Sequence, residues 1–327
     1  MPPVESLELL GDAYAALESP VERKRMLVIV NPYATTVSDR LKNLVVYALQ
    51  GRYEVDAIDT ERRDHATELC REAAQEGYDV VVAFGGDGTV NEAANGLAGS
   101  PTPLTSLPGG ATNVYCKMLG IPGDIVDATE HLLRLADEWR PRPVDLGTVN
   151  GRRFVFAAGM GLDASVVRRV DAHPRVKTSL RQWYFTYAAM TTFTKEYVVR
   201  PPQLELRVAG EALPGVSAFV QNGGPYTYFG EKPLVVTEGC EIDDGTVGAA
   251  ILQRATPLDI PTVTARLLST RLKVSKHRRV AARGGLSEFT VVSTDGRPVP
   301  VQVDGDHIGD EVEAVFGVEP RALNVVA

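Results

Sequence analysis

The sequence predicts an N-terminal α/β domain built on a parallel, nucleotide-binding sheet, followed by a β-rich, sandwich-like C-terminal domain. Three observations point there. Short apolar runs alternate with helical stretches up to about residue 139. The glycine-rich segments of that half sit where an apolar run ends. Beyond Arg140-Pro141-Arg142-Pro143 the pattern changes, and strands separated by turn residues take over.

Residues 1–24 read as a leader or an extra helix, mildly amphipathic and acidic, without the basic start and apolar centre of a signal peptide. Residues 26–30 form a continuous apolar run, as in a strand buried on both faces, and Asn31-Pro32 ends it. A helix is expected over 38–50, a strand over 53–58, a helix over 64–76 and an apolar strand over 79–84. Segments 89–97, 104–107, 113–119 and 124–139 continue the alternation. Strands alternating with helices through short connections imply a parallel sheet, and such sheets bind ligands beyond the carboxyl ends of their strands. This first domain is expected over 25–142, with Arg140 to Pro143 as linker. In the second, 143–317, the strands 144–149 and 152–158 flank Asn150-Gly151, a hairpin signal. Further strands are expected at 203–208, 216–221, 247–252, 289–293 and 299–303, with helices at 179–197 and 257–270.

The 327 residues are 44% hydrophobic and 23% charged, enough apolar material for two cores. A net charge of −8 argues against nucleic-acid binding. No apolar run approaches the ~18–20 residues of a membrane span. Cys70, Cys116 and Cys240 are odd in number and far apart, which predicts a reducing cytoplasmic setting without disulfides. The five histidines show no metal-ligand spacing.

The sharpest motif is Gly85-Gly86-Asp87-Gly88-Thr89-Val90-Asn91-Glu92, after an apolar strand and opening a helix. Its glycines let backbone amides approach a ligand, and the helix start adds partial positive charge suited to phosphate. A carboxylate among such amides makes sense where a divalent cation joins it to phosphate. The string is not a Walker A loop, since no Gly-Lys-Ser/Thr follows. Two more loops fall at the same sheet edge: Leu107-Pro108-Gly109-Gly110-Ala111-Thr112-Asn113, and Asn31-Pro32-Tyr33-Ala34-Thr35. Each alone reads as a turn; together they point to a phosphate-bearing ligand. Gly159-Met160-Gly161 fits a dinucleotide fingerprint loosely, but no acidic residue follows ~20 positions later to hold a ribose. The acidic turns Glu241-Ile242-Asp243-Asp244-Gly245 and Val303-Asp304-Gly305-Asp306 read as solvated hairpin turns that gain meaning only as partners of a metal–phosphate site. The segment 266–283 carries seven Lys or Arg and no acid, which suits either an anionic lipid surface or a solvated face. The aromatic run Trp183-Tyr184-Phe185 with Tyr187 reads as helix core, or as lining for an acyl chain.

Taken together, the Gly-Gly-Asp-Gly-Thr-Val-Asn-Glu and Leu-Pro-Gly-Gly-Ala-Thr-Asn motifs resemble the soluble diacylglycerol kinase family, which includes bacterial lipid kinases and sphingosine kinases. The resemblance runs from about residue 25 to the C-terminus. It implies ATP and Mg²⁺, a bilayer-held lipid acceptor, peripheral attachment to the inner membrane face, and a final segment, 318–327, rejoining the first domain. Carried over by position, it assigns Asn31, Pro32, Tyr33, Ala34, Thr35, Thr60, Gly86, Asp87, Gly88, Thr89, Val90, Asn91, Glu92, Ala111 and Thr112 to the nucleotide. It makes Asp244 the direct magnesium ligand, with main-chain oxygens of Glu241 and Thr246 beside it. Asp87 and Asp243 would hold the ion through water, and Asp306 would be the general base. Three positions depart from the family pattern. Tyr33-Ala34-Thr35 lacks a glycine, Ala111 stands where a threonine is usual, and Asp306 replaces the usual glutamate. They bear on ATP affinity and turnover more than on fold. A related NAD-kinase-like enzyme and a non-catalytic nucleotide- or lipid-binding protein stay open as alternatives, as does the oligomeric state, a homodimer included.

Overall fold

Four parallel strands, β1 (Arg25–Val30), β2 (Glu54–Asp59), β3 (Val80–Gly85) and β4 (Leu104–Pro108), lie side by side in the order β2-β1-β3-β4. They belong to a computed structural model that describes residues 23–137, 139–171, 201–269 and 271–327. Most of the expected leader, the helix expected at 179–197 and the aromatic run Trp183 to Tyr187 lie outside those residues. Every residue of β3 is buried, as is all of β1 after Arg25, which is why both read as unbroken apolar runs. Helices α1 (Asp39–Leu49), α2 (His65–Glu76), α3 (Asp87–Leu97), α4 (Val114–Leu119) and α5 (Ile125–Leu135) connect and cover the strands. Ser38 caps α1 by accepting from Leu41 N at 3.3 Å, and Asp124 caps α5 by accepting from Val126 N at 2.8 Å. The last expected helix ends early, at Leu135, and Trp139 instead stacks under Lys24 Nζ, 4.8 Å from the ring centre.

The expected linker is a strand. β5 (Arg142–Val149) starts inside the Arg-Pro-Arg-Pro run because it pairs with the long C-terminal strand β18 (Glu313–Val325). That strand begins beside β15 (Glu288–Ser293), follows β5, and ends with Val325 parallel to Leu104 of β4. One sheet therefore runs without a break from the α/β half into the β-rich half, with a bulge where Arg321 takes a positive φ of 54°.

The single strand expected at 152–158 is two, β6 (Arg152–Phe154) and β7 (Ala157–Met160). Between them the amides of Val155, Phe156 and Ala157 turn to the carboxylate of Asp304. β7 joins a second sheet of six strands, ordered β14 (Val280–Leu286), β13 (Val247–Leu252), β10 (Ser217–Gln221), β7, β16 (Val299–Val303) and β17 (Asp306–Glu311). The first sheet continues past β15 through β8 (Leu204–Val208) and β9 (Glu211–Gly215). Phe154, Phe289 and Phe316 from that sheet pack with Met160, Val220, Ile251 and Val301 from the six-stranded one, making a sandwich. Phe289 and Phe316 stack with ring centres 5.2 Å apart. A small hairpin, β11 (Thr227–Phe229) and β12 (Lys232–Leu234), and two helices, α6 (Leu162–Asp171) and α7 (Asp259–Leu267), complete this half. Among these elements β9, β11, β12, β14, β17 and α6 were not expected.

Candidate active site

The three suspected loops meet beyond the carboxyl ends of β1, β3 and β4. Asn31 docks the first to the second: its Nδ2 donates to Thr89 Oγ1 at 3.1 Å, while its Oδ1 accepts from Tyr33 N at 3.0 Å. Gly109 N donates to Gly85 O at 2.8 Å, and Thr36 N donates to Gly109 O at 3.1 Å. The glycines serve this contact before any ligand. A Cβ on Gly110 would sit 2.7 Å from Gly86 Cα, and one on Gly85 would lie 2.4 Å from Thr89 Oγ1. Gly88 differs. Its missing Cβ faces the carboxylate of Asp306, whose Oδ2 would be 3.2 Å away.

Asp87 is not in the loop, as the sequence suggested, but in the first turn of α3, with Gly86 as N-cap. Its Oδ1 accepts from Tyr115 N at the start of α4, at 3.2 Å. Burial pushes its carboxyl up to about 6; the amides of Val114 and Tyr115 oppose that, and Asp304 and Asp306 reinforce it. Two carboxylates from the second half thus stand within electrostatic reach of the phosphate-type helix start.

Asp304 and Gly305 form the two-residue turn between β16 and β17, with φ of 48° and 86°. The expected solvated turn is wrong for Asp304, which is buried. Its carboxylate accepts from Asn91 Nδ2 and Val155 N, each at 2.7 Å, and from Phe156 N and Ala157 N, each at 3.0 Å. Burial raises its carboxyl to about 6 despite those donors. On the other side, Gly305 N donates to Gln302 Oε1 at 2.9 Å. Gln302 Nε2 in turn donates to Asp163 Oδ2 at 3.0 Å and to Tyr226 Oη at 2.9 Å, and Tyr226 donates to Asp163. Asp306, the next residue after the turn, is therefore held at its base by two buried polar networks. Sequence reasoning missed Asp304, Gln302, Asp163 and Tyr226. The one available signal was Gly159, where a Cβ would fall 2.2 Å from Asp163 Oδ2. The Gly-Met-Gly turn does open a helix, yet it cradles a carboxylate of its own chain.

Asn91, assigned to the nucleotide by the resemblance, has its side chain buried against Asp304 and Arg153 O, so it also clamps the two halves together. Thr60 follows β2 and donates its amide to Val30 O at 2.8 Å. Glu92 accepts from Ala66 N at 3.2 Å, satisfying an amide at the start of α2. Val90 is core, Ala111 is exposed and Thr112 half-buried at the tip of the third loop. A polar cavity of about 320 Å³ lies along α3, lined by Asn91, Glu92 and Asn95 with Asp64, Arg71 and Arg152 among the facing residues. Positions 88, 91, 92 and 95 follow helical spacing, so the cavity continues the face that starts at Gly88. In its wall Arg152 Nε is buried and lacks a hydrogen-bond partner among the described residues.

The other acidic turn is not brought into this arrangement by its side chains. Asp244 accepts from Glu241 N at 2.8 Å and from Thr246 N and Oγ1 at 2.8 and 2.7 Å, closing its own loop. Asp243 pairs with Arg142 at 3.6 Å. The loop rests on buried Asp145, which accepts from Gly245 N at 2.6 Å and Arg321 N at 2.7 Å. Among the described residues no three His, Cys, Asp or Glu side chains converge on one metal position. Nor is 266–283 a single basic face: it spans the end of α7, a 3₁₀ turn and β14. Arg278 and Arg279 approach Asp259 at 3.4 and 3.5 Å, and Arg283 pairs with Glu211 at 2.7 Å. The three cysteines are free and buried, and no helix of the described residues is long and apolar enough to cross a membrane.

Residues 25–149 match the diacylglycerol kinase catalytic domain. The diacylglycerol kinase of Bacillus subtilis strain 168 is 33% identical over 200 residues, which cover 59% of this chain and 62% of that protein. The diacylglycerol kinase of Staphylococcus aureus strain MRSA252 is 27% identical over 315 residues, 93% of each chain. In fold, the crystal structure of a diacylglycerol kinase from Bacillus anthracis strain Sterne matches with a TM-score of 0.68 at 19% identity, over 93% of this chain and 97% of that one. A second solved chain from the same strain matches at 0.72 and 22% identity over the same shares.

Proposed function

We propose that the chain, similar in sequence to diacylglycerol kinases, is an ATP-dependent lipid kinase, transferring the γ-phosphoryl group to a hydroxyl of diacylglycerol or a related lipid. One observation carries the reading: Asp306 of the β-rich half stands over Gly88, in the first turn of a helix whose start suits phosphate. A phosphoryl donor at that helix start and a proton acceptor facing it are what alcohol phosphorylation requires.

The residues present fit both implied groups. The first turn of α3 offers amide donors, the cavity along its face has room for more of a nucleotide, and Arg152 Nε supplies an unpartnered cationic donor. Asp304 and Asp306 add to the cost of ionising buried Asp87, a crowding that a divalent cation relieves. Magnesium is typically held by one or two carboxylates with phosphate oxygens and water. When bound, the cation would neutralise charge on the transferring phosphoryl oxygens, and Asp87 would be a carboxylate that holds it. Asp244, engaged by its own loop, would have to exchange amide contacts for it.

In the proposed step the lipid hydroxyl gives its proton to Asp306 as its oxygen bonds to the γ-phosphorus, and the bond to the ADP oxygen breaks. Asn91, Asp304 and Gln302 keep the base in place. The test is γ-labelled ATP offered with diacylglycerol and long-chain base in mixed micelles, and separately with NAD. Label on lipid, lost ~10²–10⁴-fold in Asp306→Asn, is expected. Label on NAD alone, or no transfer to any acceptor, would overturn the reading.

A further inference from the structure

The proposed acceptor lies in a bilayer, and α7 shows how the protein could reach one. Toward the core it turns buried Asp259, with Ile260 and Val263 packed in one cluster with Val216, Leu252, Ala255 and Leu162. Its exposed residues are Pro261, Thr262, Thr264 and Ala265, flanked by exposed Pro257, Leu258 and Leu268. That solvent face carries no charge, in a chain that is 23% charged. Positions 258, 261, 265 and 268 follow helical spacing and make one apolar stripe. Leu258 is 83% exposed, Leu268 38%, and Leu272 just beyond is 53% exposed. A solvated helix of a soluble protein typically turns charge outward; α7 does so only at Arg266 in its last turn.

Cations frame the stripe. Arg254 precedes it, and Arg266, Arg271, Lys273 and Lys276 follow. Arg278 and Arg279 share the single buried carboxylate of Asp259, and Lys273 lies 3.8 Å from Glu238. The surround stays net positive on a protein of net charge −8. An uncharged, partly apolar helix face rimmed by Lys and Arg is the pattern of an interfacial helix, in which apolar groups enter the acyl boundary and cations meet anionic headgroups.

We infer that α7, through Leu258, Ala265, Leu268 and Leu272 with Arg254, Arg266, Arg271, Lys273 and Lys276 around them, is the surface on which the protein docks on an anionic bilayer. The surface is contiguous with the packing around the site. Leu162, which packs with α7, opens the helix carrying Asp163, and Phe219 of the same cluster meets Tyr226 edge-on with centres 5.7 Å apart. The inference rests on the lipid-kinase reading for its purpose, but its test does not.

Co-sedimentation with vesicles of phosphatidylglycerol in phosphatidylcholine is the assay, at two salt concentrations, beside transfer to diacylglycerol in detergent micelles. Wild type should bind in proportion to phosphatidylglycerol and release as salt shortens the screening length. Leu258→Asp with Leu268→Asp adds charge at exposed positions that the core does not use, and should abolish binding. Arg271→Gln, Lys273→Gln and Lys276→Gln together should weaken it on the order of 100-fold, from about fivefold per cation. Both variants should keep wild-type transfer in micelles. Wild-type binding by either variant, or a wild type indifferent to phosphatidylglycerol, overturns the docking surface while leaving the kinase reading intact. Binding as described by a protein that phosphorylates no lipid overturns the kinase reading alone. A concentration-dependent dimer broken by the Leu258→Asp, Leu268→Asp pair, with no vesicle binding, assigns the stripe to a second copy and refutes the bilayer.

Discussion

Gly88→Ala separates stability from catalysis at the centre of the proposed site. Gly88 lies in α3 with an ordinary helical backbone, so the helix propensity of alanine favours the fold by up to roughly 0.5–1 kcal/mol, less the cost of moving Asp306. The new methyl would stand 3.2 Å from Asp306 Oδ2, with no other atom closer than the 4.0 Å of the same side chain's Cγ. That is tighter than a normal contact, and Asp306 must retreat by a few tenths of an ångström. Its base is fixed by the Asp304 and Gln302 networks, so the carboxylate must swing rather than the turn shift. A displacement near 1 Å can cost ~10²-fold in rate, so a loss of about 10- to 100-fold in kcat is expected. Thermal unfolding and steady-state transfer to micellar diacylglycerol measure the two effects. A double-mutant cycle with Asp306→Asn then assigns the loss: once the carboxylate is gone, alanine should cost little more. Additive losses, or a defect confined to KM for ATP, would refute the link to Asp306 and leave the glycine as room for phosphate.

Asp87→Asn should leave the fold intact and lower kcat ~10³-fold, the scale of one key electrostatic group, measured by the same transfer assay; activity within tenfold of wild type would reject its place in the centre. Asp304→Asn should destabilise by about 2–4 kcal/mol in urea melts, since an amide cannot accept from four donors as a carboxylate does. Because the folded state raises this carboxyl from its usual 3.8 to about 6, its protonated form favours folding below about pH 4, and that contribution is lost as pH rises to about 6. The penalty of Asp304→Asn should therefore shrink between pH 4.5 and 7, and a penalty that grows over that range contradicts the raised value.

Much of the first domain was legible because its signals are local. An apolar run such as Val80 to Phe84 can be little other than a strand buried on both faces, and Ser38 and Asp124 announce helix starts by chemistry that acts within three residues. The glycine–aspartate motif marked the right sheet edge, although most of its glycines turned out to be spaces for neighbouring loops. In the second domain the misreadings have one cause. The segment 152–158 looked like one strand until Asp304, about 150 residues later, captured three of its amides. Arg140 to Pro143 looked like a linker because nothing nearby reveals that β18 will pair with it.

By itself the sequence determined which segments are strands and helices in the α/β half, the edge at which their glycine-rich loops gather, and the family that the paired motifs resemble. Only the tertiary structure decided which carboxylates share a site. Asp304 and Asp306 bear electrostatically on Asp87 across two halves of the chain, whereas Asp243 and Asp244, equally suggestive in the sequence, spend their oxygens on Arg142 and on their own loop. The physical reason is range. Backbone propensity and capping act over a few residues, but the ionisation, burial and partners of a carboxylate depend on groups that chain folding alone brings near.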